Sequence, residues 1–263
     1  MSYREIILEI KNEIAVLTLN RPDTRNVISS SAMIDEIVEA LSSLDRDESV
    51  KVLVLTGAGS AFSAGGNVKD MARKEGMFAG TADEIAEKYR QGIQRIPRAF
   101  YGFHLPVIAA VNGPAIGAGC DLACMCDIRL ASERASFGET FGLLGLVPGD
   151  GGAFFLQRII GFSRASLLTY TCRVIDAKTA ERMGLVSEVV PSAELMKRAL
   201  SIASEITRQP RRTLRMTKRL MQLSRERGLL DVLDLSATFQ GVCHHQPEHE
   251  KAVNRFLIKD QEK

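Results

Sequence analysis

One unit occurs twice in this chain and limits its fold more than any other feature: a short unbroken apolar run, a glycine-rich loop, a helical stretch and another strand. The first copy opens with KVLVLT at residues 51–56 and passes at once into Gly57-Ala58-Gly59. The second opens with VIAAV at 107–111, turns at Asn112-Gly113-Pro114, suits a helix over 117–126 and begins another strand at 127–130. Unbroken apolar runs of this length mark strands buried on both faces, as in a sheet covered by helices. The chain is expected to be an α/β protein.

Around these units the pattern is simpler. Alternating runs at 6–10 and 14–19 flank Lys11-Asn12-Glu13 and predict a β-hairpin, ended by Arg21-Pro22. Residues 29–44 carry apolar side chains at 34, 37, 38 and 41, the stripe of a helix packed on one face. After Gly152 the spacing predicts helix after helix, at 153–160, 163–169, 177–183, 193–208, 211–227, 229–241 and 248–257, with Gln209-Pro210 as the best break. The C-terminal third is thus expected to be helical. The charged stretch 73–101, with Gly76, Gly80 and Pro97, is expected to form a mobile helical flap.

Composition excludes several classes. With 263 residues, 45% hydrophobic and 25% charged, the chain can build a substantial core and is not disordered. Lys and Arg number 34 against 32 Asp and Glu, so the near-neutral balance speaks against a nucleic-acid partner. No apolar run reaches the roughly 18–20 residues of a membrane span, and the N-terminus is charged where a secretory segment would be apolar. A cytoplasmic protein is expected, with no membrane partner. The five cysteines, Cys120, Cys124, Cys126, Cys172 and Cys243, read as reduced core residues, and their spacing fits no zinc site.

The glycine-rich loops contain neither a P-loop nor a Gly-x-Gly-x-x-Gly fingerprint. Small residues at a helix start leave backbone N–H groups unblocked, and two such turns aimed at one point would make an oxyanion hole. The same glycines would also serve tight turns and close packing. The four histidines offer no Ser or Cys triad, and no Gly-x-Ser-x-Gly elbow is present. His244, His245 and His249 flank Pro247 and are not expected to hold a metal, while His104 reads as structural. Carboxylates remain for acid–base work: Asp121, Glu139 and Asp150. Asp121 between Cys120 and Leu122 would have a raised pKa. Asp150 equally suits an N-cap for the helix from Gly152, and Glu139 a surface loop.

Taken together, four segments resemble the enoyl-CoA hydratase/isomerase (crotonase) superfamily. SAFSAGGNVKDM at 60–71 is similar to the family's first oxyanion loop, and GPAIGAGCDLA at 113–123 with Cys126-Asp127-Ile128-Arg129 to its second. Residues 137–152 resemble the following catalytic loop, and 177–190 the A-x-x-A-x-x-x-G-L-V-x-x-V stretch. The resemblance implies a β-β-α spiral core over 1–191, a helical C-terminal oligomerisation region over 192–263, a homotrimer or dimer of trimers, and an acyl-CoA thioester substrate. No cofactor is implied beyond the coenzyme A carried by the substrate, and no metal. Carried over by position, the oxyanion hole would be the N–H groups of Gly66 and Ala118. Coenzyme A would lie against Ala64, Gly65, Asn67, Val68 and Lys69, and Phe141 would line the acyl pocket.

Departures from the pattern refine the expectation. Hydratases of the family have Glu where this chain has Asp121 and Phe141, and usually Asp where it has Asn67. Asp at the first position resembles the dienoyl-CoA isomerase branch. Proton transfer by Asp121 with Asp150 or Glu139, and isomerisation ahead of hydration, are the expectation. A decarboxylase or thioester hydrolase of the same fold, or a catalytically silent acyl-CoA-binding relative, are the alternatives.

Overall fold

The computed structural model describes residues 3–261. Strands β1 (Ile6–Lys11) and β2 (Ile14–Leu19) form a hairpin whose two linking residues, Asn12 and Glu13, both have positive φ, as a tight type I′ connection demands. Helix α1 (Ser31–Arg46) follows, capped by Ser30, whose hydroxyl accepts from the Met33 N–H at 3.1 Å. Then come β3 (Val52–Gly57), α2 (Val68–Arg73), α3 (Ala82–Gln91), α4 (Arg95–Gly102), β4 (Val107–Val111), β5 (Ala115–Ile116) and α5 (Ala118–Met125). Strands β6 (Ile128–Ser132) and β7 (Ser136–Gly138), helices α6 (Gly152–Ile160) and α7 (Phe162–Thr171), strand β8 (Val174–Asp176), helix α8 (Ala177–Met183) and strand β9 (Glu188–Val190) complete the sheets. The chain ends in α9 (Leu195–Thr207), α10 (Arg211–Leu223), α11 (Leu229–His244) and α12 (Pro247–Gln261).

Six strands form one sheet in the order β1-β2-β3-β4-β6-β9, parallel throughout except for the opening hairpin. Three more form a small sheet, β5-β7-β8. The apolar runs of β3 and β4 are unbroken because both faces are covered. Leu53, Leu55, Val107 and Ala109 point into the main core under α1 and α4, whereas Val52, Val54, Ile108 and Ala110 meet Leu195, Ala199 and Ala203 of α9. Helix α9 therefore packs directly on the large sheet. Arg211 of α10 is tied to the Val50 carbonyl (2.7 Å) and Lys218 to that of Leu105 (2.8 Å), while α11 has no buried residue.

Two expectations are corrected here. The C-terminal third is not purely helical: β8 and β9 return to the two sheets, and three-residue strands carry no periodicity a sequence can display. The stretch 73–101 is helical as expected, but Ile96 and Phe100 of α4 are buried in the main core, so its second half belongs to the body of the fold. The five cysteines are free thiols, with Cys120, Cys124, Cys126 and Cys172 buried. Among the described residues no helix is long and apolar enough to cross a membrane.

Candidate active site

Both glycine-rich loops meet at one place. The first leaves β3 and is pinned from below by Asn26, whose amide donates to the carbonyls of Ala58 and Ala61, each at 2.9 Å. Ser63 donates to the Asn26 carbonyl (2.7 Å) and accepts from the Gly65 N–H (3.1 Å). A parallel bridge from Val27 to Gly65 ties this loop to the segment before α1, and one from Ser63 to Ala115 lays it alongside the second. Contact between them is tight: a methyl on Gly119 would stand 2.2 Å from the Ser63 carbonyl oxygen. Gly117, with φ +54° and ψ −123°, makes the turn into α5 in a conformation that residues with a Cβ avoid.

The outcome is a pair of unused donors. Among the described residues no acceptor is bonded to the N–H of Gly66 or of Ala118, while the neighbouring N–H groups of Gly65, Asn67 and Gly117 are all engaged. Gly66 and Ala118 both line a cavity of about 110 Å3, with Ala64, Val68, Phe141 and Asp150. Ala118 is the first residue of α5, so its N–H has no intrahelical acceptor and carries the positive end of the helix dipole. Such an arrangement can hold an oxygen that gains negative charge during reaction.

Of the three candidate carboxylates, Asp150 lines this cavity and the other two stand behind it. Asp121 is fully buried against the backbone of α6, where a methyl on Gly152 would fall 2.0 Å from its Oδ1. Glu139, at the end of β7, is also buried, not on a surface loop. Asp150 does not cap α6; that position is Gly151, at φ +107°, and the Asp150 side chain is buried. Five carboxylate oxygens here, both of Asp121, both of Glu139 and Oδ1 of Asp150, have no donor. Ionised carboxylates buried without donors are costly, so the group holds protons. Burial, and then the charge of Glu139, drive Asp150 up to about 7 and Asp121 well above the carboxylate range. Glu139 is raised too, again by burial, but contacts from Asp121 and the Cys120 thiol restrain it.

The remaining expected residues fall into two groups. Ala64 and Val68 line the cavity, and Phe141 lies with its ring 3.7 Å from where a Gly117 methyl would be. Gly65, Asn67 and Lys69 do not line it. Asn67 instead caps α2, accepting from the Lys69 N–H at 3.1 Å and donating to Asp70 at 2.7 Å. His104 pairs with Asp45 at 2.7 Å, and His244 with His249 at 3.0 Å. The sequence did not point to Asn26 or Tyr89. Tyr89 lines the cavity beside Asp150, and burial followed by the Asp150 charge raises its phenol pKa. Only the fold brings Asn26 and Tyr89 to the loops; an asparagine after Arg25 carries no sequence signal of its own.

Comparison with known proteins fits this geometry. The family model described as enoyl-CoA hydratase/isomerase matches residues 9–263. The chain is 34% identical to the crotonyl-CoA hydratase of Syntrophomonas wolfei, over 98% of this chain and 97% of that one. It is 36% identical to the 2,3-dehydroadipyl-CoA hydratase of Escherichia coli, over 97% and 96%. Among solved structures it is similar to the enoyl-CoA hydratase of Bacillus anthracis, with a TM-score of 0.90, 30% identity and 97% of each chain covered.

Proposed function

The chain belongs to the enoyl-CoA hydratase/isomerase family, and from that premise we propose that it moves the double bond of a short enoyl-CoA, with Asp150 as the proton-transferring group. One observation carries this reading: Asp150 alone of the three carboxylates lines the cavity that also holds the two free N–H donors. The carboxylate of Asp150 takes a proton from the α-carbon of a 3-enoyl thioester. The electron pair moves onto the thioester oxygen, which accepts from the Gly66 and Ala118 N–H groups. The same carboxyl then returns the proton to the γ-carbon, giving the 2-enoyl thioester with no gain or loss of atoms. Donors already fixed in place favour this charged intermediate over the neutral substrate.

Hydration asks for two carboxylates on one water. Here Phe141 occupies the cavity wall where hydratases of the family have Glu, and it can neither orient water nor accept a proton. Asp121 and Glu139, both buried, lie behind Asp150 and leave it in a poorly solvated setting. The cavity volume of about 110 Å3 is below the roughly 150 Å3 that holds benzene, which supports a short acyl group. Coenzyme A would lie over Ala64 and Val68.

Hydratase activity is the second reading, favoured by the names of the relatives. Incubation with 3-butenoyl-CoA and with crotonyl-CoA in deuterated water separates the two. Double-bond migration with deuterium at the α- or γ-carbon, lost in Asp150→Asn, is the expected result. Fast hydration of crotonyl-CoA that survives Asp150→Asn would overturn the proposal.

A further inference from the structure

A second cavity, of about 690 Å3, opens beyond the C-terminal end of α5 and along the side of α6, and it shares no lining residue with the first. Its walls are apolar: Phe154 and Phe155 from α6, Tyr101 from α4, Met125 from α5, and Leu214 and Met221 from α10. Its charges are unbalanced. Four cations line it, Arg129, Arg158, Lys218 and Arg225, against two carboxylates, Asp127 and Glu226.

Both carboxylates are already engaged. Asp127 Oδ2 lies 2.8 Å from Lys218 Nζ and accepts from the Val107 N–H, also at 2.8 Å. Glu226 accepts from the Tyr101 hydroxyl at 2.6 Å. The three arginines have no carboxylate partner among the described residues. Arg129, buried at the base, donates only to the carbonyls of Cys126 (2.5 Å) and Leu185 (2.6 Å). Arg158, at the mouth, donates to the Phe154 carbonyl at 2.9 Å and rests on the Phe154 ring, 3.6 Å from its centroid. Among the described residues the Arg225 side chain has no hydrogen-bond partner. Partial burial, and then repulsion by Arg158 and Arg129, hold its pKa below the ordinary value.

Guanidinium groups that line one apolar cavity and repel one another are stabilised by an anion that the fork of N–H donors can grip, and a carboxylate suits that fork. We propose that this cavity binds a fatty carboxylate of about eight carbons, its head held by Arg158 and Arg225 at the mouth and its chain along Phe154, Phe155, Leu214 and Met221. Ten heavy atoms need roughly 300 Å3 at about 30 Å3 each, which the cavity accommodates with room for bridging water. The apolar walls select for a chain behind the charge; a bare phosphate would leave them unfilled.

The test is titration calorimetry of the full chain with sodium octanoate, with acetyl-CoA present at saturation to occupy the thioester cavity. One saturable site per chain is expected, weakening with added salt and at least tenfold weaker in Arg225→Gln and in Arg158→Gln. Neither side chain contributes to the small cavity, so catalytic turnover serves as the control for folding in both variants. Octan-1-ol should not bind, and inorganic phosphate should compete poorly. The proposal is overturned by absence of a saturable site, as would follow if another copy of the chain covers the cavity. Equal binding of octan-1-ol, effective competition by phosphate, unchanged affinity in both variants, or binding seen only when acetyl-CoA is left out would each overturn it too.

Discussion

A carboxyl group with a pKa near 7 is both a usable base and a usable acid at neutral pH, and a double-bond shift needs one group to be each in turn. Asp150 is raised to about 7 by burial and the charge of Glu139. The first prediction is that kcat/KM for a 3-enoyl-CoA rises with pH through an apparent pKa near 7. Asp150→Asn should lower it about 10²- to 10⁴-fold, the usual scale for a general base. The same shift fixes the sign of the stability change. Above the unfolded pKa near 3.9 and below 7, the folded chain holds a proton at Asp150 that the unfolded chain has released, so stability falls as pH rises through this window. Asp150→Asn should remove part of that loss, a few kcal/mol at most, and denaturant melts at pH 5 and pH 8 measure it. If the variant shows the same pH dependence as the parent, Asp150 is not the group responsible. A second prediction concerns the donors. Gly66→Pro deletes one N–H and should raise the barrier by about 2.7–4 kcal/mol, the scale measured when another enzyme loses one oxyanion donor. A variant that folds normally, by circular dichroism, and keeps full turnover would remove Gly66 from the oxyanion hole.

The oxyanion site depends on the contact between the loop after β3 and the start of α5, and Gly119 sets that contact. A methyl there would stand 2.2 Å from the Ser63 carbonyl and 2.8 Å from its Cβ, both parts of a loop pinned by Asn26. Gly119→Ala must push α5 away from that loop, which should cost about 1–3 kcal/mol of stability as overpacking. It should cost more in turnover, because Ala118 moves with the helix. Thermal melts alongside kcat measurements test this, and a variant that loses stability but not kcat would show that the two loops need not touch. This contact also marks the limit of what the sequence displays. The apolar runs of β3 and β4, the stripe of α1 and the helical spacing of α6 to α10 are local patterns, and each element lies where its periodicity puts it. Strands β5, β7, β8 and β9 are two or three residues long and exist because partners pair with them, so no window of sequence contains their signal. The site divides in the same way. Gly66 and Ala118 stand out through their glycine-rich loops. The order of the carboxylates from the cavity wall inward depends on how Gly151 and Gly152 turn the chain against Asp121, which only the packed structure reveals.

At the scale of the whole molecule, the apolar surface of one chain is incompletely covered. Leu143 (72% exposed) and Val147 (79%) project from the loop before α6, and Phe162 and Tyr170 from α7. Helix α11 has no buried residue, yet it carries Leu229, Leu230 and Leu233, all more than half exposed, on an element whose principal packing partner is α10. Contiguous exposed apolar side chains on a helix mark surfaces that bind another chain. A closed ring in which α11 of one subunit meets the loop and α7 of the next would cover both patches with one heterologous contact, repeated three times. The family resemblance implies threefold closure, so the final prediction is a trimer, or two trimers stacked. Light scattering at micromolar concentration should give three or six chain masses, and Leu229→Glu combined with Leu233→Glu should reduce this to one. Neither leucine is buried within the chain, so the core should remain folded: the circular dichroism spectrum should be preserved while assembly is lost. Because residues 143–147 lead directly into Asp150, loss of the neighbouring chain should also loosen the catalytic loop, lowering kcat in the monomeric variant. A wild-type chain that is monomeric at micromolar concentration with full activity would refute both the ring and its support of the site.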